Sequence, residues 1–360
     1  MYSSTMSILV NLSPVLPQPT GISTYSLNIV KELRSLNPEV ISSFEIDGYT
    51  FHRSPADLTA EYGLKGHFKR LVWTQFQLPE IYQKLASQLL FSVLPEAPLW
   101  SNCRTIVMVH DLIPLHFPKR FSPGTLYNRH YIPQVLRQAE HIICNSSATA
   151  QDIMQFCGLS ANRITPIPLA YDAQHFRFLD LPKRHYFLYL GRFAPYKNVQ
   201  RAIAAFATFP NCSDYEFWLA GPTDQRQLPL LQTQIEELQL THQIKFLNYV
   251  AYDDLPKLIN QAIALVFPSL WEGFGLPALE AMACGTPVIT SNVSSLPEVT
   301  GDAALLVDPY DVGAIAQAMH DITTDTQLWA NLRSASLTRA SQFSWAKTGR
   351  ATAEVLQRFS

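Results

Sequence analysis

Between residues 186 and 291 five apolar runs recur, YFLYLGR (186–192), YEFWLAG (215–221), IKFLNYV (244–250), IALVFPS (263–269) and PVITS (287–291), with helical stretches between them. This alternation constrains the fold more than any other feature. Runs that are apolar almost throughout fit parallel strands buried on both faces, and parallel strands need crossover connections of helical length. AALLVDP (303–309) extends the series, and the chain from Asp311 onward reads as helical throughout. The first half carries the same alternation. MSILVNL (6–12), VISSFEI (40–46), LLFSVL (89–94), RTIVMVHDL (104–112), HIICNS (141–146) and RITPIPLA (163–170) read as strands. Helices are expected over about 21–36, 69–87, 124–139 and 146–157. In the first of these Ile22, Tyr25, Ile29, Leu33 and Leu36 share one face at three- and four-residue spacing.

Two such series in 360 residues predict two α/β domains, each a doubly wound, Rossmann-like sheet, with a polar linker at about 172–184. The expected domains are 1–175 and 176–342. Ligands of such sheets bind in crevices at the carboxyl ends of the strands, so the strand-end loops are where chemistry is expected.

Composition excludes several classes. The 47% hydrophobic content supplies buried cores, and a formal net charge of −2 gives no general attraction to nucleic acid. Cys103, Cys144, Cys157, Cys212 and Cys284 stand singly, with no CxxC pair, which argues against a disulfide framework or a zinc site. No apolar run reaches the roughly 18 residues of a spanning helix, and no secretory leader is expected at the N-terminus. These features predict a cytoplasmic protein. KGHFKRLVWTQF (65–76) mixes basic and aromatic residues. Peripheral contact with an acidic membrane surface is one reading of it; a surface loop leading into a half-buried helix is the other.

Four strand-end motifs stand out. In GRFAPYKNV (191–199) Arg192 and Lys197 flank a short Pro195 turn before a helix, so both cations can converge on one diphosphate; two unrelated surface charges are the alternative. In PSLWEGFGLPALEAMACGTPVI (268–289) Pro277 suits the first turn of a helix over Leu276–Cys284. Gly273 and Gly275 allow close backbone approach and leave amides free at the helix start. Glu272 precedes that helix and Glu280 lies about one turn in, so both carboxylates can border one pocket; ordinary surface carboxylates are the alternative. HDLIPLHFP (110–118) puts His110 at a strand end, as a ligand-facing or a merely structural imidazole. PTGISTY (19–25) opens the first helix at Gly21. The chain contains no GxGxxG, GxxxxGK[ST] or DxD. Dehydrogenase-type and P-loop sites are thereby disfavoured, as is a carboxylate clamp for a metal-bound sugar nucleotide.

The stretch PSLWEGFGLPALEAMACGTPVITSNVSSLPEVTGDAALLVDP strongly resembles the C-terminal signature of the family-four retaining glycosyltransferases (glycosyl transferases group 1), which have the GT-B fold. GRFAPYKN, HDLIPLHFP, NSSATAQDI (145–153) and FSWAKTGRATAEVL (343–356) match in the same order, so the resemblance covers nearly the whole chain. It implies two Rossmann-like domains facing a central cleft, with a last segment, 343–360, crossing back to the N-terminal domain. Glu280 would bind the donor ribose, Glu272 the hydroxyls of the transferred sugar, and Arg192 and Lys197 the diphosphate. Backbone amides of Phe274, Gly275 and Leu276 would contact sugar and phosphate. His110 would line the sugar pocket, and Gly21 would approach the diphosphate. Two departures stand out: Thr20-Gly21 replaces the paired glycines common in the family, and Asn248 replaces a usual glycine.

The resemblance implies a metal-independent hexosyltransferase without cofactor, its co-substrate a nucleotide-diphosphate sugar and its acceptor a glycan, lipid-linked saccharide or small molecule. HDLIPLHFP looks like the version common in mannosyltransferases of polysaccharide biosynthesis, which favours GDP-mannose. An inactive sugar-nucleotide-binding subunit, or a GT-B epimerase or phosphorylase, are the competing readings.

Overall fold

A computed structural model of the chain describes residues 7–18, 20–120, 122–222 and 226–359. Met6 of the expected first strand and Pro19 of the expected turn lie outside them. By internal contacts the chain forms two units, Met1–Leu169 with Trp345–Ser360, and Ala170–Ser344.

The first unit is built on a parallel sheet of seven strands: β1 (Ile8–Asn11), β2 (Glu39–Ser42), β3 (Phe51–Arg53), β4 (Leu89–Ser92), β5 (Thr105–Val109), β6 (His141–Cys144) and β7 (Ile164–Pro166). Their spatial order is β3-β2-β1-β4-β5-β6-β7. β1 pairs with β2 through Leu9 opposite Glu39 and with β4 through Ile8 opposite Leu89. The strand order therefore reverses between β1 and β4. Apolar side chains cover both faces. On one face lie two clusters, Leu9, Ile41, Leu58, Trp73, Leu78 and Leu90 in the first and Val107, Val109, Ile132, Leu136, Ile142 and Ile153 in the second; on the other, Val10, Leu89, Phe91, Ile106 and Met108 are buried.

The second unit carries six parallel strands, β8 (Tyr186–Leu190), β9 (Glu216–Ala220), β10 (Ile244–Asn248), β11 (Ala264–Phe267), β12 (Val288–Ser291) and β13 (Leu305–Val307). Their order, β10-β9-β8-β11-β12-β13, reverses between β8 and β11. The expected pair of parallel α/β sheets is present.

Several expected boundaries shift. The first helix, α1 (Gly21–Glu32), gives way to a tighter turn over Arg34–Leu36, and Ile22 is exposed while Tyr25, Ile29 and Leu33 are buried. The helix expected at 69–87 starts earlier, as α2 (Gly63–Lys84). The segment 124–139 is interrupted by a π-helical turn at Tyr127–Tyr131, and the C-terminal region breaks at Asp325 and again between Ala340 and Trp345. β3 was not anticipated: Phe51–Arg53 is short, partly polar and at the sheet edge, where no alternating pattern develops.

The last helix, Trp345–Arg358, packs on α1 within the first unit, where Thr348 Oγ1 donates to the Pro168 carbonyl at 2.8 Å. Gly349 makes this approach possible, because a Cβ there would overlap the Cβ of Glu32. Gly349→Ala is expected to destabilise the first unit by about 1–3 kcal/mol. A denaturation midpoint equal to that of the wild type would refute the contact.

Candidate active site

The two loops that leave β8 and β11 flank the point where strand order reverses in the second sheet, the place where such sheets hold ligands. Residues 191–198 form the first loop and 268–275 the second. Their meeting is built, not incidental. Asn198 ends the first loop with φ 61, a left-handed conformation that asparagine tolerates better than most residues. Its buried amide donates to the carbonyls of Pro268 at 2.9 Å and Pro309 at 2.7 Å, and its Oδ1 accepts from Arg201 at 2.8 Å. The Leu270 amide then donates to the Tyr196 carbonyl at 2.7 Å.

Serines fasten the second loop from behind. Ser291 Oγ donates to the Ser269 carbonyl at 2.6 Å, and Ser294 Oγ accepts from the Glu272 amide at 3.1 Å. Ser295 Oγ lies 3.0 and 2.8 Å from the Glu272 and Phe274 carbonyls, which share its proton. Gly275 then turns the chain with φ 103, and a Cβ there would stand 2.7 Å from Leu296. Only glycine meets both demands without strain. The helix Leu276–Ala283 follows with Pro277 in its first turn and no side-chain cap; the Ala278 and Leu279 amides donate to the Gly275 carbonyl at 3.0 and 3.3 Å, and the Leu276 amide is left for another acceptor.

Glu272 and Lys197 face each other across these loops. Lys197 Nζ donates to both Glu272 oxygens, at 2.6 and 2.7 Å, and both side chains are largely buried. The sequence grouped Lys197 with Arg192 as phosphate cations and set Glu272 apart; the structure couples Lys197 to Glu272. An ammonium has three N–H donors, so one remains beyond the pair. Arg192 is exposed, and among the described residues no acceptor or carboxylate meets its guanidinium. Tyr189 Oη fixes its backbone by donating to the Arg192 carbonyl at 2.8 Å.

Glu280 sits one turn into the uncapped helix, and among the described residues its carboxylate has neither hydrogen-bond partner nor ion pair. Burial pushes it up to about 8. Burial, and then the nearby Glu280 charge, push the Cys284 thiol up to about 12. A carboxyl held this way is costly to ionise and ready to accept polar hydrogens that a ligand would bring. Phe274 is buried, with its ring edge-on to Phe343 at 6.1 Å.

The remaining candidates belong to the first unit. His110 follows β5, and its Nε2 donates to the Val93 carbonyl at 3.0 Å, at the end of β4. Burial lowers the imidazole to about 4, so it is neutral at pH 7 with Nδ1 as an acceptor. Tyr25 stands edge-on to it at 5.0 Å. Gly21 is the first residue of α1, exposed, and Thr20 caps the helix by accepting from the Ser23 amide at 3.1 Å. Threonine in place of a glycine thus uses one first-turn amide within the chain. The other departure is conformationally neutral: Asn248 takes φ 52, the left-handed geometry a glycine would take. Asn198, Ser294 and Ser295 were missed by sequence reasoning. The one available signal was the clustering of Asn and Ser beside loops rather than in helices.

Two expectations follow. Removing one partner of the buried pair leaves an uncompensated charge, so Lys197→Met lowers stability by about 3–5 kcal/mol, and adding Glu272→Gln recovers most of it. Additive losses in chemical denaturation would contradict the pairing. For Glu280 the folded value lies above the unfolded one, so the native state holds its proton longer. Stability is full below about 4.5 and falls as pH rises towards 8. Glu280→Gln should therefore melt above wild type at pH 8.5, with the gain vanishing towards pH 4.5; a pH-independent difference contradicts the shift.

The comparisons with known proteins cover both units. A model described as Glycosyltransferase Family 4 matches residues 19–175, and one described as Glycosyl transferases group 1 matches residues 172–339. The chain is 30% identical over 378 residues to O-antigen chain mannosyltransferase B of Escherichia coli, covering 94% of this chain and 96% of that protein. It is 32% identical over 262 residues to the serotype-specific mannosyltransferase WbdA of Escherichia coli. There the match takes in 68% of this chain but only 32% of the relative, so the chain spans about a third of that protein's length. Among solved structures, Anabaena Alr3699/HepE in complex with UDP and glucose superposes with a TM-score of 0.77 at 21% identity, over 98% of this chain and 100% of that one.

Proposed function

The chain belongs to the retaining glycosyltransferases of family four, glycosyl transferases group 1, and from that membership we propose that it transfers mannose from GDP-mannose to a hydroxyl of a growing glycan. The observation that carries the donor reading is Glu280, a half-buried carboxyl without a partner among the described residues, beside an uncapped helix start. A ribose diol supplies the two polar hydrogens such a carboxylate lacks, and the amides of Phe274, Gly275 and Leu276 suit the phosphate and sugar oxygens that follow. Mannose and a glycan acceptor rest on the two mannosyltransferase relatives.

In the reaction proposed, the bond between the anomeric carbon and the diphosphate oxygen breaks, and its electron pair leaves with the diphosphate. Arg192, the remaining Lys197 proton and the helix start stabilise that charge without metal. The acceptor oxygen attacks the anomeric carbon on the face the diphosphate leaves. Its proton passes to a donor phosphate oxygen, so no side chain serves as a strong base and configuration is retained. Glu272, held by Lys197, orients the transferred sugar.

A thermal-shift screen of GDP-, UDP- and ADP-sugars is expected to give its largest rise with GDP-mannose. Arg192→Ala should weaken that binding roughly 10- to 100-fold. Donor hydroxyls favour ionised Glu280, so binding at pH 7 should release a proton, seen as a calorimetric enthalpy that depends on the buffer. Glu280→Gln should abolish the dependence. Wild-type binding with no proton release, or unchanged affinity in both variants, would remove the donor site from these loops.

A further inference from the structure

The two faces of the second sheet are filled differently where β8, β9 and β10 lie side by side. On one face Phe187 and Phe217 are buried against Phe206 of the helix Val199–Thr208. Strand alternation puts Tyr186, Glu216, Trp218 and Lys245 on the other, with Trp218 directly opposite Lys245 in the ladder. The seven-residue helix Leu255–Gln261 lies over that face, held where Tyr186 Oη donates to the Leu258 carbonyl at 2.5 Å. It leaves Glu216 and Trp218 partly exposed.

Two open cavities meet there. The first, of about 400 Å³, passes the amino ends of β8, β9 and β10; the second, of about 550 Å³, lies between Trp218 and the short helix and reaches Tyr249 beyond β10. Arg184 and Trp218 line both, so the two form one groove. Its floor is aromatic and fixed. Trp218 stacks on Tyr186 with ring centroids 3.9 Å apart and planes 4° from parallel. The indole Nε1 donates to one Glu216 oxygen at 2.5 Å, and Lys245 donates to the other at 2.6 Å. The Arg184 guanidinium stands 4.9 Å from the indole centroid. Gln243 and Gln261 bring amides to the walls, and among the described residues Gln243 Oε1 has no hydrogen-bond partner. Charges in and beside the groove balance, Asp214, Glu216 and Asp254 against Arg184, Lys245 and Lys257.

We propose that this groove is a second saccharide-binding site, which takes a neutral stretch of the glycan that the enzyme extends. The inference rests on the function proposed above for the identity of that glycan alone. The chemistry of the groove selects the ligand. A phosphate or a nucleotide diphosphate needs uncompensated positive charge, and here carboxylates match the cations. An apolar segment of another protein would bury Asp214, Glu216 and Asp254 without partners. A sugar ring suits every group present. Its C–H face covers the indole, and its hydroxyls donate to carboxylate and amide oxygens while accepting from Arg184 and Lys257. None of these residues lies in the loops 191–198 or 268–275, so the groove can be filled while a donor is bound. A glycan held there stays tethered between additions, which raises its effective concentration at the transfer site.

The test is affinity electrophoresis of the full chain through gels with and without soluble α-mannan, read without donor. Wild type is expected to be retarded by mannan, and equally so with saturating GDP-mannose present. Trp218→Ala, and separately Tyr249→Ala with Asp254→Ala, should each lower the apparent association constant about tenfold or more. Tyr249 and Asp254 are exposed, so the double variant should keep the wild-type melting temperature and carries the test if loss of the indole stack unfolds the first. No retardation of wild type, undiminished retardation of the double variant, or retardation abolished by GDP-mannose would overturn the proposal. So would a concentration-dependent dimer that the double variant abolishes, which would give the groove to a second copy. The donor screen is read on other residues, so either result can fail without the other.

Discussion

Asn198 spends both amide hydrogens on backbone carbonyls from two distant stretches, Pro268 after β11 and Pro309 after β13, while its own backbone sits in a left-handed turn. The rest of the second unit's site depends on this. The residue before it is Lys197, and the segment it grips leads directly to Glu272. A donor that is buried, doubly satisfied and conformationally restricted cannot drift without leaving carbonyls unpaired. The ion pair between Lys197 and Glu272 is thus a consequence of loops already fixed by neutral hydrogen bonds. The serines behind the second loop act in the same way. Charged groups are placed by uncharged ones.

Much of this was legible in the sequence, for identifiable reasons. Strands buried on both faces write continuous apolar runs, so β8, β9, β11 and β12 could be read with boundaries close to those found. Gly275 and Pro277 announce a turn and a helix start through backbone restrictions that few other residues share. What could not be read were interactions between segments far apart in the chain. Nothing local to Lys197 says that its partner is a glutamate 75 residues on rather than Arg192's neighbour on a phosphate. Asn198 looks like any helix-preceding asparagine until the carbonyls of Pro268 and Pro309 are seen above it. The mixture of basic and aromatic residues at 65–76 falls on α2, but which of its faces is buried depends on Arg70 turning inward to Glu96.

The two departures from the family pattern receive different physical readings. Asn248 takes a left-handed backbone geometry that a glycine supplies readily, and adds a side-chain amide at the end of β10. Thr20 does more: its hydroxyl occupies one of the amides that open α1. The N-terminal helix start is therefore less open to an anion than the helix start at Leu276, which no side chain caps. Across the two units, the second carries the better anion seat.

The pairing of Lys197 with Glu272 has a further consequence for selectivity in a crowded solution. With its charge already balanced, the lysine presents a weak field to small ions arriving singly. Inorganic phosphate has no sugar ring to engage Glu272 and no ribose to engage Glu280, so it would compete for little more than Arg192 and the helix start. In the donor site proposed above, an intact sugar nucleotide would touch all of these groups at once. Its affinity would arise from simultaneous contacts along one molecule, as a lock turns for a key whose teeth all fit and not for one that carries a single tooth.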